Sequence, residues 1–143
     1  MSGHGDGAVL LDTCALIWFL SHALPQATEA RLIEAAVTGG VHISPVSARE
    51  IGPRSRPGRS LAGRLLPDAK TWFARAMRGP GFRAAPFTPE IAIDASHLPG
   101  DLHQDPADRM LIATARHLNA PIVTRDRRIL AYAESGDVAA FAC

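Results

Sequence analysis

DPADRMLIATARHLNAPIVTRD, residues 105–126, reads as a helix followed by a short strand, and that pairing sets the pattern for the whole chain. Pro106 at a first helical position needs no N–H partner, and Asp105 before it is of the type that caps a helix. The spacing predicts a helix over 106–119, then a β-branched strand at 121–124, PIVT. Leu111, Ile112 and Ala115 form its apolar stripe, and Asp108 lies on the same side. Arg109 and Arg116 point elsewhere. A carboxylate on a core-facing side needs a partner, and no cation within this segment occupies that face.

Working outward, the same alternation recurs. AVLL at 8–11 reads as a buried strand and CALIWFL at 14–20 as a helix opening. A helix is predicted over 25–38, with Leu32, Ala35 and Ala36 inward and Gly39-Gly40 as its stop. VHIS at 41–44 is a second strand, and Ser47 is read as opening the next helix. Residues 52–64, GPRSRPGRSLAGR, are a loop or broken helix and the most basic segment. Helices at 68–78 and 89–97 and strands at 84–88 and 138–142 complete the reading. Short apolar strands alternating with helices imply an α/β fold, a short parallel sheet flanked by helices in three Rossmann-like layers. The whole of 1–143 is expected to be a single domain with its core over about 8–142.

Composition narrows the class. The chain is 47% hydrophobic and 20% charged, with a net charge of +1, which is ordinary for a globular domain. Lys70 is the only lysine among fifteen cations, so the positive charge is almost entirely guanidinium. Cys14 and Cys143 make no CxxC pair, so neither a zinc site nor a disulfide framework is indicated. Asp12 interrupts the early apolar run, no Lys or Arg precedes Arg31, and the run is too short to span a membrane. A cytoplasmic protein without membrane attachment is the expectation.

In parallel sheets, ligands bind beyond the carboxyl ends of the strands. Asp12 follows the first strand directly, Asp126 follows PIVT by two residues, and Glu50 follows VHIS by about one helical turn. All three belong to one rim, together with Asp108. Plainer roles compete. Asp105 suits a cap, Asp108 at the third helical position suits the helix dipole, and Ser47-x-x-Glu50 fits a capping box. Asp126 also suits a turn. Asp12, a charge inside an apolar run, has the least structural excuse. Four acids with no convergent His or Cys set imply a hard cation held by oxygen, Mg²⁺ or Mn²⁺. Such ions act on phosphates, and an Arg-rich loop beside them suits a polyanion.

LLDTCALIW, ISPVSAREI, DPADRMLIATA and IVTRD, in this order from about residue 8 to residue 132, resemble the four acidic blocks of PIN-domain ribonucleases. The match is nearest to the VapC-type toxins of bacterial toxin–antitoxin pairs. The resemblance implies that Asp12, Glu50, Asp108 and Asp126 are the catalytic acids, with Asp12 and Asp108 as principal metal ligands. It implies supporting hydroxyls at Thr13 and Thr124 and leaves Asp105 as a cap. It further implies a Mg²⁺-dependent endoribonuclease acting on a structured RNA, a cognate antitoxin and a homodimer. Arg54, Arg56 and Arg59 would contact the RNA backbone. The alternatives are a non-catalytic RNA- or protein-binding domain of the same fold and an aspartyl-phosphate phosphohydrolase. The latter calls for a second aspartate where Cys14 stands. A Cys14 nucleophile has no histidine evidently paired with it.

Overall fold

The computed structural model describes residues 7–143, so residues 1–6 of the expected domain lie outside the described residues. Five strands form one parallel sheet among the described residues: β1 (Val9–Leu11), β2 (Val41–Ile43), β3 (Phe82–Ala84), β4 (Ile122–Thr124) and β5 (Ala140–Ala142). Their order is β3-β2-β1-β4-β5. Register pairs Leu10 with His42 on one side and with Ile122 on the other. The seven helices are α1 (Thr13–Leu20), α2 (Gln26–Val37), α3 (Pro45–Arg54), α4 (Ala69–Ala76), α5 (Pro89–Asp94), α6 (Pro106–Leu118) and α7 (Arg127–Ala133). The α/β reading of the sequence therefore holds.

The central strands are buried at every position, which is why they read as continuous apolar runs rather than alternating ones. Successive side chains still part to opposite faces. Leu10 and Ile122 join Leu111, Ile112, Ala115 and Ile129 under α6 and α7. Val9, Leu11 and Val123 join Leu16, Leu32 and Ile51 under α1, α2 and α3.

Strand order reverses at the centre. The chain runs from β1 outward to β2 and β3, then returns to place β4 and β5 on the other side of β1. The crevice between the carboxyl ends of β1 and β4 is thus the topological switch point, where a ligand has room between diverging crossovers.

Several expected boundaries move: the helix expected over 89–97 ends at Asp94, and the strand expected at 138–142 begins at Ala140. The strand predicted at 84–88 is found at Phe82–Ala84. Pro86 has no N–H to contribute to a ladder, and the pairing begins instead right after Gly81. That glycine has φ +79°, and a Cβ there would lie 2.2 Å from the Ala36 carbonyl oxygen. The helix expected to open at Ser47 opens at Pro45, with Ser44 as its cap accepting from the Val46 N–H. The Ser44-Pro45 pair repeats the Asp105-Pro106 signal, and the capping-box reading of Ser47 and Glu50 is corrected accordingly. The basic segment 52–64 is part helix and part tight turns, anchored by buried Leu61. Arg56 and Arg59 are exposed there.

Candidate metal centre

Asp12 leaves β1 and caps α1. Its Oδ1 accepts the Ala15 N–H at 2.8 Å, and its Oδ2 accepts the Thr124 hydroxyl at 2.5 Å. Thr124 ends β4 and in turn accepts the Asp126 N–H at 3.0 Å. One threonine thus stitches the two strand ends that flank the switch point. Asp12 is only 8% exposed. Burial raises its carboxyl above the usual range, against the pull of Thr124 and the Ala15 amide, and the charges of Asp108 and Glu50 push the same way.

Glu50, on α3, accepts the hydroxyl of Thr13, whose Oγ1 also lies 3.1 Å from the Oγ of buried Ser47. The helix start at Pro45 explains this arrangement. Ser47 and Glu50, three residues apart, face α1 together. Freed from capping, Ser47 joins the polar chain Ser47–Thr13–Glu50.

Asp108 sits at the third position of α6, capped by Asp105, whose Oδ1 accepts the Asp108 N–H at 3.1 Å. Its side chain is 16% exposed, over the stripe of buried Leu111, Ile112 and Ala115. Burial raises its carboxyl, opposed by a hydrogen bond from His103 and reinforced by the charges of Asp105 and Asp126. His103 Nε2 lies 2.8 Å from Asp108 Oδ2, and Arg128 approaches the same oxygen at 3.8 Å. Both partners come from outside 106–119, which is why that segment alone left Asp108 unmatched. Arg109 does point elsewhere: it donates to the carbonyls of Ala95, Leu102 and His103.

Asp126 caps α7, accepting the N–H groups of Arg128 and Ile129. Partial burial works to raise its carboxyl, but hydrogen bonds and charge from Arg128 outweigh that and hold it below the usual range. Asp126 is therefore an ion-paired cap at the outer edge of the rim.

The structure brings Asp12, Glu50 and Asp108 near enough for each of the other two to act electrostatically on Asp12, while Asp126 acts on Asp108. Among the described residues, no three His, Cys, Asp or Glu side chains stand close enough to enclose an ion. The donor chemistry nevertheless fits a hard divalent cation. The rim offers carboxylate oxygens, two of them on acids whose charge is opposed by burial and by other acids. Cys14 is half-buried beside them, its thiol pushed up by burial and by Asp12 and pulled back by Arg54. That environment does not favour a thiolate nucleophile. Of the three basic-loop arginines, Arg54 acts on the Cys14 thiol beside the rim, and it also donates to Ser60 within the loop at 3.3 Å.

Sequence reasoning missed His103 and Arg128, and read Ser47 only as a helix opener. Only Arg128, two residues beyond Asp126, had a local signal. An apolar groove of about 560 Å³ opens beside Glu50 and Asp105, lined also by Val46, Phe87 and Met110.

The molecule is thus a parallel α/β domain with an acid-lined switch point. A family model for the PIN domain matches residues 9–135, and the chain belongs to the PIN-domain family. PIN domains are generally nucleases and typically use divalent metals. Among solved structures, the chain is similar to VapBC2 from Rickettsia felis bound to a DNA fragment from its promoter. There the identity is 13%, with 94% of this chain and 98% of that one covered and a TM-score of 0.66. It is also similar to FitAcB from Neisseria gonorrhoeae, at 21% identity, 93% and 96% coverage and a TM-score of 0.59. FitAB bound to the IR36 DNA fragment gives 19% identity, 94% coverage of both chains and a TM-score of 0.55. At such identities the likeness shows the shared fold. No curated protein matches the chain. No helix among the described residues is long and apolar enough to cross a membrane.

Proposed function

We propose that this chain is a Mg²⁺-dependent endoribonuclease and the toxin of a toxin–antitoxin pair, acting in the cytosol on a structured RNA. The observation that carries the reading is the state of Asp12. It is a buried carboxylate at the switch point, supplied with hydrogen bonds, and among the described residues the charges that act on it are those of the acids Asp108 and Glu50. A buried charge left so is costly unless something positive completes it.

Asp12 and Asp108 would hold Mg²⁺ or Mn²⁺, with Glu50 and Asp126 supporting. The cation's contribution is Lewis acidity toward a phosphoryl oxygen and a supply of hydroxide at neutral pH. The chain's residues do the rest. Thr124 fixes Asp12 by bonding one carboxylate oxygen while the Ala15 amide holds the other. Thr13 fixes Glu50 in the same way. Arg56 and Arg59 stand exposed to hold the RNA backbone, with Arg54 between them and the rim. The structural neighbours support an antitoxin partner, since VapBC2 and FitAB are the complexes this fold matches. An antitoxin arginine or lysine entering the acidic rim would replace the metal's charge. A neighbouring apolar side chain would seat in the groove beside Glu50. A homodimer of the chain is the expected free form.

Expression of the chain alone tests the reading. Growth arrest accompanied by new RNA ends is the expected result, with Asp12→Asn relieving both. Harmless accumulation of folded wild type would count against a toxin.

A further inference from the structure

We propose that His103 is a positioning residue for Asp108, holding its carboxylate ready for a divalent cation; this rests on the metal-dependent reading above. His103 lies in the connection between α5 and α6, five residues before the acid. Its side chain is 17% exposed, and its Nε2 lies 2.8 Å from Asp108 Oδ2. An ionised carboxylate only accepts, so Nε2 carries the hydrogen. The other ring nitrogen, Nδ1, is buried and has no hydrogen-bond partner among the described residues. The ring thus presents its Nε2–H to Asp108.

The connection that carries this ring is itself held. The Arg109 guanidinium, one residue past the acid, donates to Ala95 O at 2.8 Å, Leu102 O at 3.1 Å and His103 O at 3.3 Å. Asp105 ties the Asp108 N–H from below. Residues 102–109 thus close on themselves: Arg109 grips the backbone of His103, His103 bonds Asp108, and Asp108 bonds Asp105. A carboxylate gripped this way keeps one rotamer, and a ligand held in advance binds its ion without first surrendering that freedom. Both side chains that reach Asp108, His103 and Arg128, do so at Oδ2. Among the described residues, Oδ1 is left as the oxygen to offer.

The test is calorimetric titration of the purified full chain with Mn²⁺ alone, in the absence of RNA. Wild type, Asp108→Asn, His103→Ala, His103→Phe and His103→Gln are compared, each also melted in EDTA. Phenylalanine keeps the ring volume without the donor, and glutamine restores an N–H at similar reach. Wild type should bind, and Asp108→Asn should not. His103→Ala and His103→Phe should bind roughly 10–100-fold more weakly. His103→Gln should recover most of that loss, while melting in EDTA stays close to wild type for Phe and Gln. Should the alanine chain fail to fold, Phe against Gln decides alone. Mn²⁺ affinity within about twofold of wild type in His103→Phe, or no recovery in His103→Gln, overturns the role of His103. If Asp108→Asn still loses binding, the metal reading survives that outcome. A wild type that binds no Mn²⁺ overturns both.

Discussion

Asp12 and Asp126 do the same structural job at two places on one rim. Each follows a central parallel strand, and each caps the helix that leaves it. Their electrostatics are opposite. Asp126 has Arg128 against it and sits below the usual carboxylate range. Asp12 is buried, has acids for charged neighbours and sits above that range. Capping by itself favours the charged form in both, so capping does not account for the difference. What differs is the counter-charge. At the outer end the chain supplies its own; at the inner end no cation among the described residues pairs with Asp12, and that is where an external cation has most to offer.

The largest expected effect separates the inner acids from the caps. Asp12→Asn and Asp108→Asn should each abolish RNA cleavage, since each removes a charged oxygen ligand with little change of shape. Asp105→Asn should keep most activity, because asparagine caps a helix nearly as well. Equal loss in all three, measured under the same metal concentration, would erase the distinction between ligand and cap within DPADR.

A smaller effect concerns stability without metal. In EDTA at neutral pH, Asp108→Asn should melt at or above wild type, because it relieves a carboxylate whose charge burial and other acids oppose. Asp126→Asn should melt lower, by about 0.3–1 kcal/mol, the worth of a dipole and ion-pair contact at a partly exposed site. The two differences should also respond oppositely to acid. A carboxyl raised in the folded state binds its proton more tightly there, so its contribution is lost as pH rises through the raised value. The advantage of Asp108→Asn should therefore vanish as pH falls from neutrality towards 3.8, the ordinary value. For Asp126 the folded value is depressed, so the stability it adds is present above 3.8 and lost as pH falls below it. The Asp126→Asn deficit should shrink only in that lower window. Thermal melts across pH check both, and parallel behaviour of the two variants would break the contrast.

Which of these features the sequence showed depended on how far each interaction reached along the chain. The buried strands and the Asp105 cap were legible because apolar runs and X-Pro pairs are local signals. The same X-Pro signal stood at Ser44-Pro45, where the Ser47 and Glu50 spacing obscured it. Asp12, Glu50 and Asp108 were legible as candidates from their places after strands or on an apolar helix face. Thr13 and Thr124 came only through resemblance, and the structure places them on Glu50 and Asp12. His103 was not legible, because its hydrogen bond depends on how an irregular connection folds back, and no periodicity records that.

The smallest expected effect falls on the basic loop. Replacing Arg54, Arg56 and Arg59 by Gln should weaken RNA binding and flatten its salt dependence. The logarithmic slope should fall by roughly 0.7 for each phosphate of a single strand that the loop no longer neutralises. Unchanged RNA affinity with weaker antitoxin binding would assign the loop to the partner instead.

The central claim is that the inner acids hold a metal that cuts RNA. It is met most directly by incubating the purified chain with total RNA in Mg²⁺, in Mn²⁺ and in EDTA, then mapping new ends. Discrete new ends are expected with either metal, with none in EDTA and none from Asp12→Asn. The same ends appearing in EDTA, or from Asp12→Asn at wild-type yield, would contradict the claim.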